Sequence, residues 1–293
     1  NMVTIDEIKG TYREIHRIKE AQQVHLAQAS CYAYFYAKQQ ELSAIRIRIT
    51  YCNMETEELK YFHYEYTIRE LENWFMEIIN SYRRWADFQY EWQGLKQQSI
   101  KQLVFPFPYR EGQKNLVTYV YQTIYHRKKL FIEAPTGVGK TISTVFPSIK
   151  AMGEGKGQRI FYLTAKTITR TVANDTLELL RKQMLRLKSV TLTAKDKICF
   201  IEETECNPVD CPYAKGHFDR INDAIYDLLI HEDNFSREKI EEYAARHKVC
   251  PFEMSLDMSL FADMIICDYN YLFDPHVYLK RFFSEGVRED YIF

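Results

Sequence analysis

The stretch Leu130–Thr141, LFIEAPTGVGKT, decides how this chain is read. An apolar, β-prone run from Leu130 to Ile132 is broken at Pro135, and two glycines follow. Gly137 and Gly139 let successive backbone N–H groups curl round an anion with no Cβ in the way. A helical pattern begins near Lys140, so its unpaired N–H groups and positive dipole end point at the same place. The prediction is a strand, a phosphate-cradling loop and a helix N-terminus. Lys140 would neutralise the β- and γ-phosphates of ATP, and the Thr141 hydroxyl would hold Mg²⁺. Ala134, Thr136, Gly137, Val138 and Gly139 would line the cradle beside these two candidate catalytic residues. The plainer alternative is a glycine turn with a solvated lysine.

Downstream, a helix over 142–152 ends in the glycine-rich MGEGKGQ, and Arg159 to Thr164 is a second apolar strand. Strand, loop, helix and strand at this spacing form a right-handed βαβ unit, which implies a parallel sheet and an α/β fold. Thr164, Lys166, Thr167 and Arg170 fall where that strand gives way to a helix over 171–188. Hydroxyls and cations at a strand end suit nucleic-acid phosphates, with plain solvation as the alternative. Upstream, FPFPYREGQ carries Tyr109, Arg110 and Gln113 ahead of a helix over 112–126.

Net charge is −1 over 293 residues, but it is unevenly distributed. Residues 1–100 carry 12 basic and 14 acidic side chains, residues 101–200 carry 18 and 6, and the remainder 9 and 20. A basic block around a nucleotide loop suggests a polyanion, nucleic acid being the usual one; solvated lysines on helix faces are the alternative. No apolar run approaches the ~18 residues of a membrane span, and no signal peptide is visible, so no membrane partner and a cytoplasmic location are expected. A monomer is expected. The chain opens on Asn1, as a piece of a longer protein would.

In the first hundred residues, strands are expected over 2–9, 44–52 and 59–67, with helices over 14–40 and 67–92. Glu7 and Lys9 share one side of the first strand, and Gln28 and Tyr32 share a face of the helix that follows. Residues 94–104, polar and containing Gly94, are expected to be a linker.

Seven cysteines with an intracellular look argue for metal or free thiols over disulfides. Cys199, Cys206, Cys211 and Cys250 follow a C-x₆-C-x₄-C-x₃₈-C spacing, with turns supplied by Asn207, Pro208 and Pro212. Four cysteines fit an iron–sulfur cluster or a Cys₄ zinc site, and the long spacings lean towards iron–sulfur. Two helices, about 216–231 and 236–247, lie between the third and fourth cysteine.

These features together carry a resemblance. The strict P-loop pattern is not met, since its first glycine is Ala134, but A-x-x-G-x-G-K-T is similar to the loop of superfamily-two helicases. With the upstream F-P-Y…Q, the four-cysteine insertion and the YNYLFDP stretch after an apolar strand at 264–267, residues 105–293 resemble the XPD/DinG group of DNA helicases. The resemblance implies a RecA-like domain one with a mostly helical four-cysteine insertion over 190–255. It implies a 4Fe–4S cluster on Cys199, Cys206, Cys211 and Cys250, and Gln113 reading adenine. Thr164, Lys166 and Arg170 would grip DNA phosphates. It further implies 5′ to 3′ movement on single-stranded and forked DNA, driven by ATP, in repair or replication. The DYIF end resembles the start of the strand that carries the D-E-A-H box of that group, so that box and the second motor lobe are expected beyond this chain. Separately, E-x-K on a strand and Q-x-x-x-Y on the next helix resemble the RecB-like branch of the PD-(D/E)xK nucleases. That resemblance implies a smaller α+β domain over 1–93 in which Glu7, Lys9, Gln28 and Tyr32 are site residues. The family's Asp on a preceding strand is missing, so no cleavage by this chain alone is expected. Two other functions stay open: a single-stranded DNA-binding module with a cysteine metal site and a vestigial loop, and a nuclease loaded by its ATPase part.

Overall fold

The computed structural model describes residues 2–165, 167–201, 205–284 and 289–293. The chain divides into two compact units, Asn1–Asp87 and Phe88–Phe293.

In the first unit, β1 (Thr4–Thr11) pairs in parallel with β2 (Ala44–Asn53), and β2 pairs antiparallel with β3 (Leu59–Thr67). Alternation along β2 buries Ile45, Ile47, Ile49 and Tyr51 in one core with Ala29, Ala33 and Ala37 of α1 (Gln23–Gln39). Those alanines let the helix lie close to the branched side chains of the sheet. The single helix expected over 14–40 is instead a 3₁₀ turn, Ile15–Arg17, followed by a break before α1. The cause is tertiary: Gln22 N–H donates to the buried Tyr51 hydroxyl at 2.9 Å, which fixes where α1 starts.

Next, α2 runs without interruption over Ile68–Gln102. Thr67 and Glu70 cap its start reciprocally, each side chain accepting the other's backbone N–H. The linker expected over 94–104 is therefore helical as far as Gln102. Gly94 costs a helix interior about 1 kcal/mol relative to Ala. Burial of Ile100 and Leu103, each 2% exposed in the second unit's core, outweighs it.

The second unit continues with α3 (Gln113–Tyr125), α4 (Lys140–Gly153), β4 (Arg159–Thr164) and α5 (Thr167–Arg181). Then come β5 (Ser189–Thr191), α6 (Lys195–Ile198), α7 (His217–His231), β6 (Asn234–Phe235), α8 (Arg237–His247) and α9 (Pro251–Met258). It closes with β7 (Met264–Asp268), α10 (Asn270–Phe273), α11 (Lys280–Phe283) and β8 (Tyr291–Ile292). The strands order as β6-β5-β7-β4-β8, and every pairing is parallel. The sheet is parallel and α/β as expected, but the βαβ unit from which that was read does not form, since its first strand is absent from the ladder. Its core joins Ile149, Leu177, Leu180, Leu187, Met264 and Ile266 to Ile100 and Leu103.

Two expectations are corrected here. The apolar run Leu130–Ile132 is not a sheet strand: it has no ladder partner, and Phe131 is 95% exposed. A strand needs a neighbouring ladder, and the outermost strand on that side, β8, is only two residues long. The helix expected over 171–188 stops at Arg181, because residues 189–191 are drawn into the sheet. The cysteine-bearing insertion also contributes to the sheet, since Asn234 and Phe235 add its outer strand.

The basic block is likewise not one exposed surface. Lys188, 1% exposed, donates to Leu229 O, Glu232 O and Asp233 Oδ1 at 2.6–2.9 Å, capping α7. Its ammonium lies 4.2 Å from the centre of the Trp92 ring. Lys150 bonds the last carbonyls of α2, and Arg181 those of Leu187 and Asp233. Cations here satisfy the orphan carbonyls of helix ends and turns.

Candidate functional site

The glycine-rich loop has the backbone that its sequence demands. Gly137 (φ +86°) and Gly139 (φ +74°) are both left-handed, and Gly139 is the N-cap of α4. The N–H groups of Gly137, Val138 and Gly139 donate to no acceptor among the described residues. Those of the first turn of α4 add to them. The result is a ring of donors at a helix N-terminus, the arrangement that binds phosphate. The loop carbonyls, by contrast, are engaged. Lys140 Nζ donates to Ala134 O (2.8 Å) and Pro135 O (2.9 Å), and the Arg110 guanidinium to Gly137 O. Lys140 is exposed, so a phosphate can draw its ammonium off the carbonyls without unpacking anything. Thr141 follows at the second helical position.

Gln113 lies at the start of α3 and is 4% exposed. Its Oε1 accepts the Arg110 N–H at 3.0 Å and its Nε2 donates to Val138 O at 2.9 Å. Gln113 is thus a buckle between the FPFPYR segment and the loop. Phe105 stacks on Tyr109 (4.4 Å) and meets Phe146 of α4 edge-on (5.3 Å), so the aromatic segment is anchored on the loop's own helix. Between them lies a cavity of about 310 Å³ lined by Phe107, Pro108, Arg110, Gln113, Gly139 and Ile142. A second, of about 370 Å³, lies between α3 and residues 130–135. The structural role of Gln113 has no signal in the sequence, because the Val138 carbonyl it holds is 25 positions away.

Of the residues expected on DNA, Thr164 is 2% exposed at the end of β4, and Lys166 lies outside the described residues. Arg170 points inward. It pairs with Asp268 at 3.3 Å, donates to Leu192 O at 3.2 Å, and its side chain is 18% exposed. The fold uses this guanidinium to join α5 to the carboxyl ends of β5 and β7, which corrects the expectation that it is offered at the surface.

The four cysteines are partly gathered. The ammonium of Lys195 in α6 is held above its ordinary value by Cys206 first, with smaller contributions from Cys199 and Cys250. Cys250 is the N-cap of α9, where burial raises its thiol and the Glu253 and Phe252 N–H groups oppose that rise. Cys211 is buried and Cys206 exposed. As placed, however, no group of three or more His, Cys, Asp or Glu among the described residues could hold a metal ion. The thiols do not fit a cluster in this arrangement, and no step is derived through one. Cys267 is a core thiol, pushed up to about 12 by burial.

In the first unit, all four singled-out residues meet. Lys9 Nζ lies 2.7 Å from Glu7 and donates to Gln28 Oε1 at 3.0 Å, while Gln28 Nε2 reaches the Tyr32 hydroxyl at 3.5 Å. The chain of contacts runs from β1 to α1 and ends at the half-exposed Tyr32.

Comparison with known proteins places the second unit. The family model DEAD_2 matches residues 170–285. A probable ATP-dependent helicase of Methanocaldococcus jannaschii is 44% identical over 46 residues, which is 15% of this chain and 7% of that protein. The general transcription and DNA repair factor IIH helicase subunit XPD of Dictyostelium discoideum is 37% identical over 49 residues, 17% of this chain and 6% of that protein. These matches span less than a tenth of either relative. Among solved structures, one titled XPD_Helicase overlaps 57% of this chain and 29% of its own, with 20% identity and a TM-score of 0.40. One titled Truncated XPD overlaps 56% and 47%, with 18% identity and a TM-score of 0.39. Among the described residues, no helix is long and apolar enough to cross a membrane.

Proposed function

We propose that this chain is the nucleotide-binding part of an XPD-like, ATP-dependent DNA helicase with a RecA-like sheet. The observation that carries this reading is the loop. Two left-handed glycines, free N–H groups and Lys140 at the mouth of α4 form a triphosphate cradle on a parallel α/β sheet. The match of residues 170–285 to DEAD_2 supports the same reading. ATP–Mg²⁺ is held through Gly137, Gly139, Lys140 and Thr141. The base lies in the cavity beside Phe107 and Gln113, whose amide keeps one N–H and one carbonyl lone pair for adenine beyond its two internal bonds. Single-stranded and forked DNA are the substrates, travel is 5′ to 3′, and repair or replication is the setting. The protein is a cytoplasmic monomer.

A 4Fe–4S cluster on the four cysteines would require their thiols to draw together from where the structure places them. Support comes from the donor set of four cysteines. Such a cluster would supply a rigid covalent tie to the segment. Iron and acid-labile sulfide in anaerobically purified protein test it, and zinc without iron refutes it.

DNA-stimulated ATPase of the full-length protein, wild type against Lys140→Ala, tests the main reading. Losing the charge on the transferring phosphate lowers turnover by about 10²–10³-fold. Unchanged turnover refutes the helicase reading and favours a DNA-binding module with a vestigial loop. The Glu7–Lys9–Gln28–Tyr32 contacts favour a second reading for the first unit, a partial nuclease-like phosphodiester site.

A further inference from the structure

The buried Tyr51 hydroxyl on β2 accepts the Gln22 N–H at 2.9 Å and lies 2.9 Å from Nδ1 of His25. The hydroxyl carries one proton, and Tyr51 is 3% exposed, so that proton has no water to meet. Among the described residues the one acceptor within its reach is His25 Nδ1. The opposite arrangement would give the oxygen two donors and leave a buried O–H orphaned, at a cost that folded proteins avoid. The His25 proton must then be on Nε2, which makes no hydrogen bond among the described residues. Sheet register places this ring beside the Glu7–Lys9 pair. Tyr51 is directly across from Lys9 in the parallel β1–β2 ladder, and His25 stands one turn before Gln28 on the same face of α1.

We infer that Tyr51 locks His25 into the Nε2–H tautomer, so that His25 is a fifth member of the Glu7–Lys9–Gln28–Tyr32 site and offers a fixed N–H donor to a phosphodiester oxygen. The inference rests on the phosphodiester reading of that site and goes beyond it. Lys9 brings charge but is tied to Glu7, and the Gln28 amide carbonyl is tied to Lys9. Like the Tyr32 O–H and the second Gln28 amide N–H, His25 Nε2–H is a donor in this row that no acceptor among the described residues holds, and it alone is fixed by a buried partner. Burial keeps the imidazole below its ordinary value of 6.5, so the donor is neutral and cannot be mistaken for a second cation.

The test uses ¹⁵N-labelled full chain. Long-range ¹H–¹⁵N spectra read the His25 tautomer, and a short oligodeoxythymidine is titrated while the His25 ring and Gln28 side-chain signals are followed. The expected result is a pure Nε2–H tautomer in wild type, with a mixture in Tyr51→Phe. His25→Leu weakens the locally read binding about tenfold, the size of one hydrogen bond to a charged group. His25→Gln, whose amide places an N–H at the same reach, restores it. An Nδ1–H tautomer or a mixture in wild type overturns the inference. So does undiminished binding by His25→Leu when Lys9→Ala weakens it. If neither Lys9→Ala nor His25→Leu changes the titration, the phosphodiester reading of the site falls, and the inference with it.

Discussion

Alanine substitutions at the two loop glycines should separate backbone strain from packing. At Gly137 (φ +86°) a Cβ would meet nothing within 4 Å, so Gly137→Ala carries only the left-handed penalty, about 1–2 kcal/mol. At Gly139 (φ +74°) the same Cβ would come within 2.7 Å of Gln113 Nε2 and 3.3 Å of Ile142 Cγ2. The Gln113 amide must then leave Val138 O, losing a buried hydrogen bond worth about 1 kcal/mol in addition. Gly139→Ala should therefore cost about 2–3 kcal/mol, or roughly 4–12 °C in Tm for a unit of this size. Thermal denaturation gives the stability, and a fluorescent ATP analogue gives the affinity. Gly139→Ala should lose both, and more of each than Gly137→Ala. Equal effects of the two substitutions would refute the proposed Gln113 buckle. Wild-type nucleotide affinity in both would refute the cradle itself.

Other outcomes follow from the same contacts. Lys188→Met leaves three acceptors at the end of α7 without their cation and should destabilise the chain by about 3–5 kcal/mol in urea denaturation; a loss below 1 kcal/mol would mean that cap is unimportant. The Arg48 guanidinium holds the Asp6 carboxyl below its ordinary 3.8. A lowered folded-state value means stability that is present above the unfolded value and lost as pH falls through the folded one. Wild type should therefore lose stability below about pH 4 more steeply than Asp6→Asn. Parallel acid denaturation curves would exclude this contribution. Gly94→Ala, at a mid-helix position with open space around it, should stabilise by about 1 kcal/mol; no gain would argue against a continuous α2.

Local chemistry made much of this legible. The alternating isoleucines of β2 and the continuous apolar run of β7 each report their own surroundings, so their strands could be read in order. Gly137 and Gly139 are likewise a local demand for positive φ. The E-x-K and Q-x-x-x-Y pairs could be placed on a strand and a helix, but their meeting depends on how α1 returns across the sheet.

What the chain determined by itself was the type of most elements and the conformation of the phosphate loop, because these depend on residues within a few positions of one another. Tertiary structure alone decided which cations are buried against helix ends and that 94–102 continues a helix. It also decided that Leu130–Ile132 has no ladder, that Gln113 closes on Val138, and that Tyr51 sets the start of α1. Each of these joins groups far apart in sequence, and a hydrogen bond or a buried contact of that kind has no periodic trace along the chain. It exists only where the fold brings a donor to an acceptor and removes the water between them.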